Sequence, residues 1–120
     1  MEQRINKFYR ESRIEFRKYK KTKDTTHFAQ AGQKLWNTFG MFMEVASKKE
    51  IKSFKELRKA VLDLYAETNG LVLKLFEDLY DLHKYFYRGW SEDITIEINQ
   101  YLTSVELLKV FAKNYGVKLK

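Results

Sequence analysis

The stretch "LHKYFYRGW" (residues 82–90) holds the side chains best suited to chemistry. His83 sits there among Tyr85, Phe86, Tyr87 and Trp90, with Lys84 and Arg88 between them. An imidazole titrates near neutral pH and can act as general acid or base. On a helix His83 falls four residues after Leu79 and three before Phe86, inside an apolar stripe. That position equally suits a half-buried core histidine bonded to a carbonyl or carboxylate. Tyr85 points about 200° away from it around the helix, on the side of Asp78 and Asp81, so one chain does not aim both into the same pocket. His83, Tyr87 and Trp90, with Trp36 of an earlier helix, are placed to shape a groove at a bundle or dimer interface, and Tyr85 is free to face a partner.

A second signal is charge. Of the 23 Lys and Arg, nine fall in residues 1–23 against three Glu, a local net of +6, while the remaining 97 residues carry 14 basic and 13 acidic side chains. Arg10, Arg13, Arg17, Lys20 and Lys21 occupy one half of a helix whose other half carries Ile5, Phe8, Tyr9, Ser12, Phe16 and Tyr19. Phosphate groups are held by such cations. The rings fall on the face that packs into a bundle, so the cations, and not base-stacking aromatics, are the binding groups. A solvated helix without a ligand is the competing reading.

Other chemistries find little support. There is no cysteine, which removes disulfides, thiolate nucleophiles and cysteine-based zinc sites. The two histidines lie 56 residues apart, no carboxylate–histidine pair has metal-ligand spacing, and Glu77/Asp81 reads as a solvated i,i+4 acidic pair. No nucleophile elbow, phosphate loop or dinucleotide fingerprint occurs. No cofactor is implied. The longest apolar run is about five residues, far below the roughly 20 that cross a bilayer, and the charged start is not a secretory signal. The expectation is a cytoplasmic protein with no membrane partner.

These groups must be positioned by helices. The 120 residues contain no proline, which permits long uninterrupted helices. Apolar spacing predicts five, over about 2–21, 25–48, 53–67, 71–88 and 92–114. Asp24 or a following threonine, Ser53 (in the capping box "SFKE") and Ser91 are the predicted caps, and "TNG" (68–70) the stop of the third helix. The third helix is expected to turn Phe54, Leu57, Val61, Leu64 and Tyr65 inward. The fifth should turn in Ile94, Ile98, Tyr101, Leu102, Val105, Leu108 and Ala112. Gly32 and Gly40, on the packed side of the second helix, predict a close helix approach at both. The fold class is all-α: an antiparallel bundle in one domain spanning 1–120, with 1–23 its basic amphipathic first helix.

Two segments carry a resemblance. "QAGQKLWNT" (30–38) is similar to a Q-A-S-E-K-L-W-G-A pattern through Gln30, Ala31, Lys34, Leu35 and Trp36, with Gly32 and Gln33 in place of serine and an acid. "LHKYFYRGW" is similar to L-H-x-N-F-Y-E-G-W through Leu82, His83, Phe86, Tyr87, Gly89 and Trp90, with Tyr85 and Arg88 in place of asparagine and glutamate. Both patterns belong to archaeal small helical paralogues grouped with the HEPN (higher eukaryote and prokaryote nucleotide-binding) domains. The resemblance covers roughly 24–112 and implies a HEPN-like bundle, often a homodimer, akin to substrate-binding subunits of nucleotidyltransferases. Ribonucleases of that group carry R-x4-6-H. Here Phe76, Glu77 and Asp78 stand where the arginine belongs before His83, and Lys20, Lys21 and Thr22 before His27. An acid there repels phosphate.

The expected function is a non-catalytic bundle that self-associates and binds nucleotide, RNA or a protein partner. His83 is the one catalytic candidate. The alternatives are a divergent metal-independent ribonuclease using His83, and the HEPN partner of a nucleotidyltransferase in a toxin–antitoxin-type pair.

Overall fold

Five helices follow in order: α1 (Glu2–Thr22), α2 (Thr25–Ser47), α3 (Phe54–Asp63), α4 (Leu71–Arg88) and α5 (Thr95–Asn114). The computed structural model describes residues 1–88 and 94–120, and no strand occurs among them. The side chains of Tyr85, Phe86, Tyr87 and Arg88, together with Gly89, Trp90 and the Ser91 cap, lie outside the described residues.

The local signals explain where the helices begin and end. Lys23 takes a left-handed conformation (φ 60°) and its N–H closes back onto the Tyr19 carbonyl at 2.7 Å. Asp24 then caps α2 by accepting from the Thr26 N–H at 2.9 Å. Ser53 accepts from the Glu56 N–H at 3.1 Å, and the Glu56 carboxylate returns to the Lys52 N–H at 3.0 Å. The capping box therefore closes one residue earlier than its usual reciprocal form. Asn69 (φ 52°) and Gly70 (φ 81°) make the left-handed stop before α4.

The middle of the bundle is α2, which packs on α1 along one side and on α4 along the other; α4 in turn carries α5, and short α3 lies against α2 and α4. The core is one continuous cluster. Phe28, Leu35, Phe39, Phe42, Leu75, Leu79, Leu82, Tyr101, Leu108 and Phe111 are all completely buried within it. Burying each such side chain contributes about 1.5–3 kcal/mol before entropy is counted. α1 and α5 have no Cα pair within 8 Å. They are joined by side chains: the Tyr101 hydroxyl bonds the Ser12 hydroxyl at 2.9 Å, and the Tyr101 ring stacks on Phe16 at 4.7 Å.

Several inward assignments change. α3 ends at Asp63, not near Glu67, and residues 64–70 form turns that close with the Gly70 N–H on the Tyr65 carbonyl. Phe54 and Tyr65 consequently lie at the surface, each nearly half exposed. On α5 Leu102 is exposed, and Glu97, Ser104 and Phe111 are buried instead. A helix with apolar residues all round leaves its inward face to be chosen by its neighbours.

The two α2 glycines also separate. A Cβ on Gly32 would stand 3.4 Å from the Leu82 Cβ and 3.8 Å from its carbonyl oxygen, so α4 does approach closely there. A Cβ on Gly40 would meet nothing within 4 Å, which corrects the second expectation. Gly40→Ala is thus expected to stabilise the protein by up to about 1 kcal/mol through helix propensity alone. A rise in the urea midpoint checks this, and an unchanged or lower midpoint refutes it.

Candidate functional site

The first helix presents its cations on one stripe because residues 10, 13 and 17 recur at three- and four-residue steps. That stripe faces a groove between α1 and the C-terminal segment. The groove, about 440 Å³, is lined by Tyr9, Arg10, Arg13, Ile14 and Arg17 from α1, Lys109 from α5, and Leu119 and Lys120 beyond α5. Two further depressions adjoin it and share its residues. One, about 560 Å³, adds Glu2, Gln3, Asn6 and Lys118; the other, about 490 Å³, adds Lys113, Gly116 and Val117. Residues of the first helix and the last twelve thus form one basic surface.

What places the last residues there is Asn6. This residue is buried although polar. Its amide nitrogen donates to the Lys118 carbonyl at 3.0 Å, and its amide oxygen accepts from the Lys120 N–H at 2.8 Å. The side chain acts as a neighbouring strand would, pairing with alternate backbone groups of an extended segment. Glu2 accepts from the Lys118 N–H at 3.2 Å. Val117 and Leu119 pack inward, leaving Lys118 and Lys120 exposed beside Arg10.

The electrostatics of the groove are one-sided. Among the described residues, Arg10, Arg17, Lys20, Lys21, Lys113, Lys118 and Lys120 form no ion pair within 4 Å. The nearby acids are Glu2, engaged with the tail backbone, and Glu106, which pairs with Lys109 at 3.5 Å on the surface. A concavity of one sign raises the local concentration of the opposite ion.

The five predicted cations separate within this frame. Arg10 and Arg17 line the groove with unpaired guanidinium groups. Arg13 lines it too but is tied down: its guanidinium lies 5.6 Å from the Phe16 and Tyr101 ring centres and donates to the Tyr101 hydroxyl at 3.3 Å. Lys20 lies 5.9 Å from the Phe16 ring, and neither Lys20 nor Lys21 lines the groove. Tyr9, Phe16 and Tyr19 are buried, as their face requires. Burial pushes the phenols of Tyr9 and Tyr101 above their ordinary range, against the lowering influence of Arg13, so both stay neutral.

Lys109, Lys113, Lys118 and Lys120 were not foreseen in the sequence. The signal was present: residues 107–120 hold four Lys and no acid. Counting residues 24–120 as one block hid it, because residues 24–106 carry 13 acids against 10 bases.

His83 occupies a different place. It packs on the α4-facing side of α2, and no described contact joins it to the basic groove. Its Nδ1 lies 2.7 Å from Gln33 Oε1; with the amide oxygen facing the ring, Nδ1–H donates. The ring stacks on Trp36 at 5.1 Å and on Tyr80 at 6.2 Å, with Phe54 continuing the aromatic row 4.9 Å from Tyr80. His83 and Trp36 are therefore brought together, both half-buried. Desolvation holds the imidazole below its ordinary value. Protons then bind the unfolded chain first as pH falls through about 6.5, so this group's contribution to stability is full above that value and lost below it. Gln33→Glu places a carboxylate on Nδ1 and is expected to reverse the sign, raising the imidazole pKa by about one unit or more over the wild type. An NMR titration of the ring protons reads this; an unmoved or lower pKa would show that residue 33 does not govern the histidine.

Among the described residues no group of three or more His, Cys, Asp or Glu is placed to hold a metal ion, and no helix is long and apolar enough to cross a membrane. No family model, curated protein or solved structure matches the chain.

Proposed function

We propose that this chain is a non-catalytic HEPN-like bundle that binds the phosphates of RNA or nucleotide on the basic groove between α1 and the C-terminal segment. The observation that carries the reading is the convergence of Arg10, Arg17, Lys109 and Lys120 on one concavity whose nearest acids are already engaged. Docking is electrostatic: exposed cations release counterions from the phosphate backbone, and affinity falls with salt. The self-association and nucleotidyltransferase partnership implied by the sequence resemblance belong to the same proposal. Light scattering and co-purification read them.

The test is fluorescence anisotropy with a labelled RNA oligonucleotide over a salt series. About five phosphate contacts predict a loss of roughly a hundredfold or more in affinity between about 50 and about 200 mM salt. Absence of binding at the lowest salt, or binding indifferent to salt, refutes the reading.

The ribonuclease alternative has one supporting observation, a half-buried histidine whose pKa is lowered toward the neutral, base-competent form. Against it, none of the residues lining the cation groove is among the described contacts of His83. Cleavage of RNA lost in His83→Ala, with an unchanged thermal midpoint, would establish it. Cleavage retained in that variant, or absent in the wild type, removes it.

A further inference from the structure

We infer that the nucleic acid accepted by this groove is double-stranded and is held by its backbones without readout of the bases. The inference rests on the phosphate-binding reading above and narrows it.

Proteins that hold single strands combine a basic track with aromatic faces on which bases stack. Here the track exists and the faces do not. Tyr9, Phe16, Tyr19 and Tyr101, the rings behind the basic stripe, are each no more than 7% exposed. Arg13, whose planar guanidinium could stack on a base, is already engaged with Phe16 and Tyr101. Tyr115 stands edge-on to Phe42 and Phe111. Among the described residues lining the groove no aromatic face is open to an unpaired base, which would meet the aliphatic side chains of Ile14 and Leu119 and the guanidinium groups of Arg10 and Arg17.

The cations are also arranged for two lines of phosphate. One row, Arg10 and Arg17, runs along α1 over about 10 Å at 1.5 Å per residue. The other, Lys109 and Lys120, comes from α5 and the tail and lines the same groove, with Lys118 in the adjoining depression beside Arg10. A duplex presents two backbones bounding each of its own grooves, and a charge about every 1.7 Å of axis, twice the density of either strand. With no stacking to compensate, charge density decides, and the duplex is favoured.

The experiment compares four probes of equal length with the full chain at about 50 mM salt: an RNA duplex, a DNA duplex of the same sequence, one of the RNA strands alone, and an RNA duplex of unrelated sequence. The expected result is that at least one duplex type binds about tenfold or more tighter than the single strand. The two RNA duplexes should agree within about twofold. Arg10→Gln with Lys120→Gln should weaken both RNA duplexes by the same factor. Equal or tighter binding of the single strand, or discrimination between the two RNA duplexes, overturns the inference and leaves the phosphate-binding reading standing. Binding of none of the four overturns both.

Discussion

A protein carrying Arg10→Glu, Arg17→Glu, Lys109→Glu and Lys120→Glu should lose nucleic-acid binding by a hundredfold or more at about 0.1 M salt, while its fold persists. All four side chains line one groove. Arg10, Arg17 and Lys120 hold no ion pair within the described structure, and Lys109 has only a surface pair with Glu106 at 3.5 Å. Such pairs are worth little, about 0–1 kcal/mol, so reversal removes phosphate contacts without dismantling the bundle. Each reversal also adds repulsion, which is why the loss exceeds that of neutral substitutions. The matched control is Lys49→Glu, Lys52→Glu, Lys55→Glu and Lys59→Glu, four exposed lysines on and just before α3, which makes the same change in net charge and should leave binding within a few-fold. Equal loss in both variants would mean that overall charge, and not this groove, does the binding. Retention of affinity in the fourfold variant would mean that the phosphates dock elsewhere.

The second large effect concerns Tyr101. Its ring stacks on Phe16 and meets Phe28 edge-on at 5.9 Å, and it is completely buried. Truncation of such a ring costs about 3–5 kcal/mol. Domains of this size are stable by about 5–15 kcal/mol, so Tyr101→Ala should remove about a fifth or more of the margin. The hydroxyl carries a separable part. The Ser12 hydroxyl donates to the Ala31 carbonyl at 2.7 Å, which leaves its oxygen to accept from Tyr101, while Arg13 donates to the phenol. Tyr101→Phe keeps the ring and leaves Ser12 still bonded, so it should cost only about 1–1.5 kcal/mol. Urea unfolding of the two variants reads the difference. If Tyr101→Ala lies within about 1 kcal/mol of wild type, α5 is not seated on α1 through this residue. If the two variants cost the same, the phenol and not the ring carries the contact.

These two residue sets show how far the sequence could be read. The bounds of α1 and α2 and the start of α4 were legible because they are written locally, in the cap at Asp24 and in apolar steps of three and four; the stop expected for α3 at Gly70 instead follows turns, since α3 ends at Asp63. α3 was read too long because Leu64 and Tyr65 continue its apolar rhythm, and nothing local says that the Tyr65 carbonyl will be taken by Gly70. On α5 the apolar residues encircle the helix. Choosing Phe111 over Leu102 required knowing that Tyr101 points at α1, a contact 89 residues away in sequence. The candidate site divides the same way. Arg10, Arg13 and Arg17 were visible as a stripe on one helix. That Arg13 would be held by Tyr101, and that lysines from the other end of the chain would join Arg10, depends on long-range packing that no local spacing encodes. Trp36 and His83 were each singled out and do stack, yet the bond that orients His83 comes from Gln33, 50 positions away in sequence.

The clamp at Asn6 has a consequence for how the groove comes into being. Its partners, Lys118 and Lys120, lie 112 and 114 positions downstream. The basic stripe of α1 is therefore far removed in sequence from the segment that forms the opposite wall. Contacts of such sequence separation form late and at high entropic cost. The surface proposed for phosphate is therefore complete only once residues 117–120 have docked on α1.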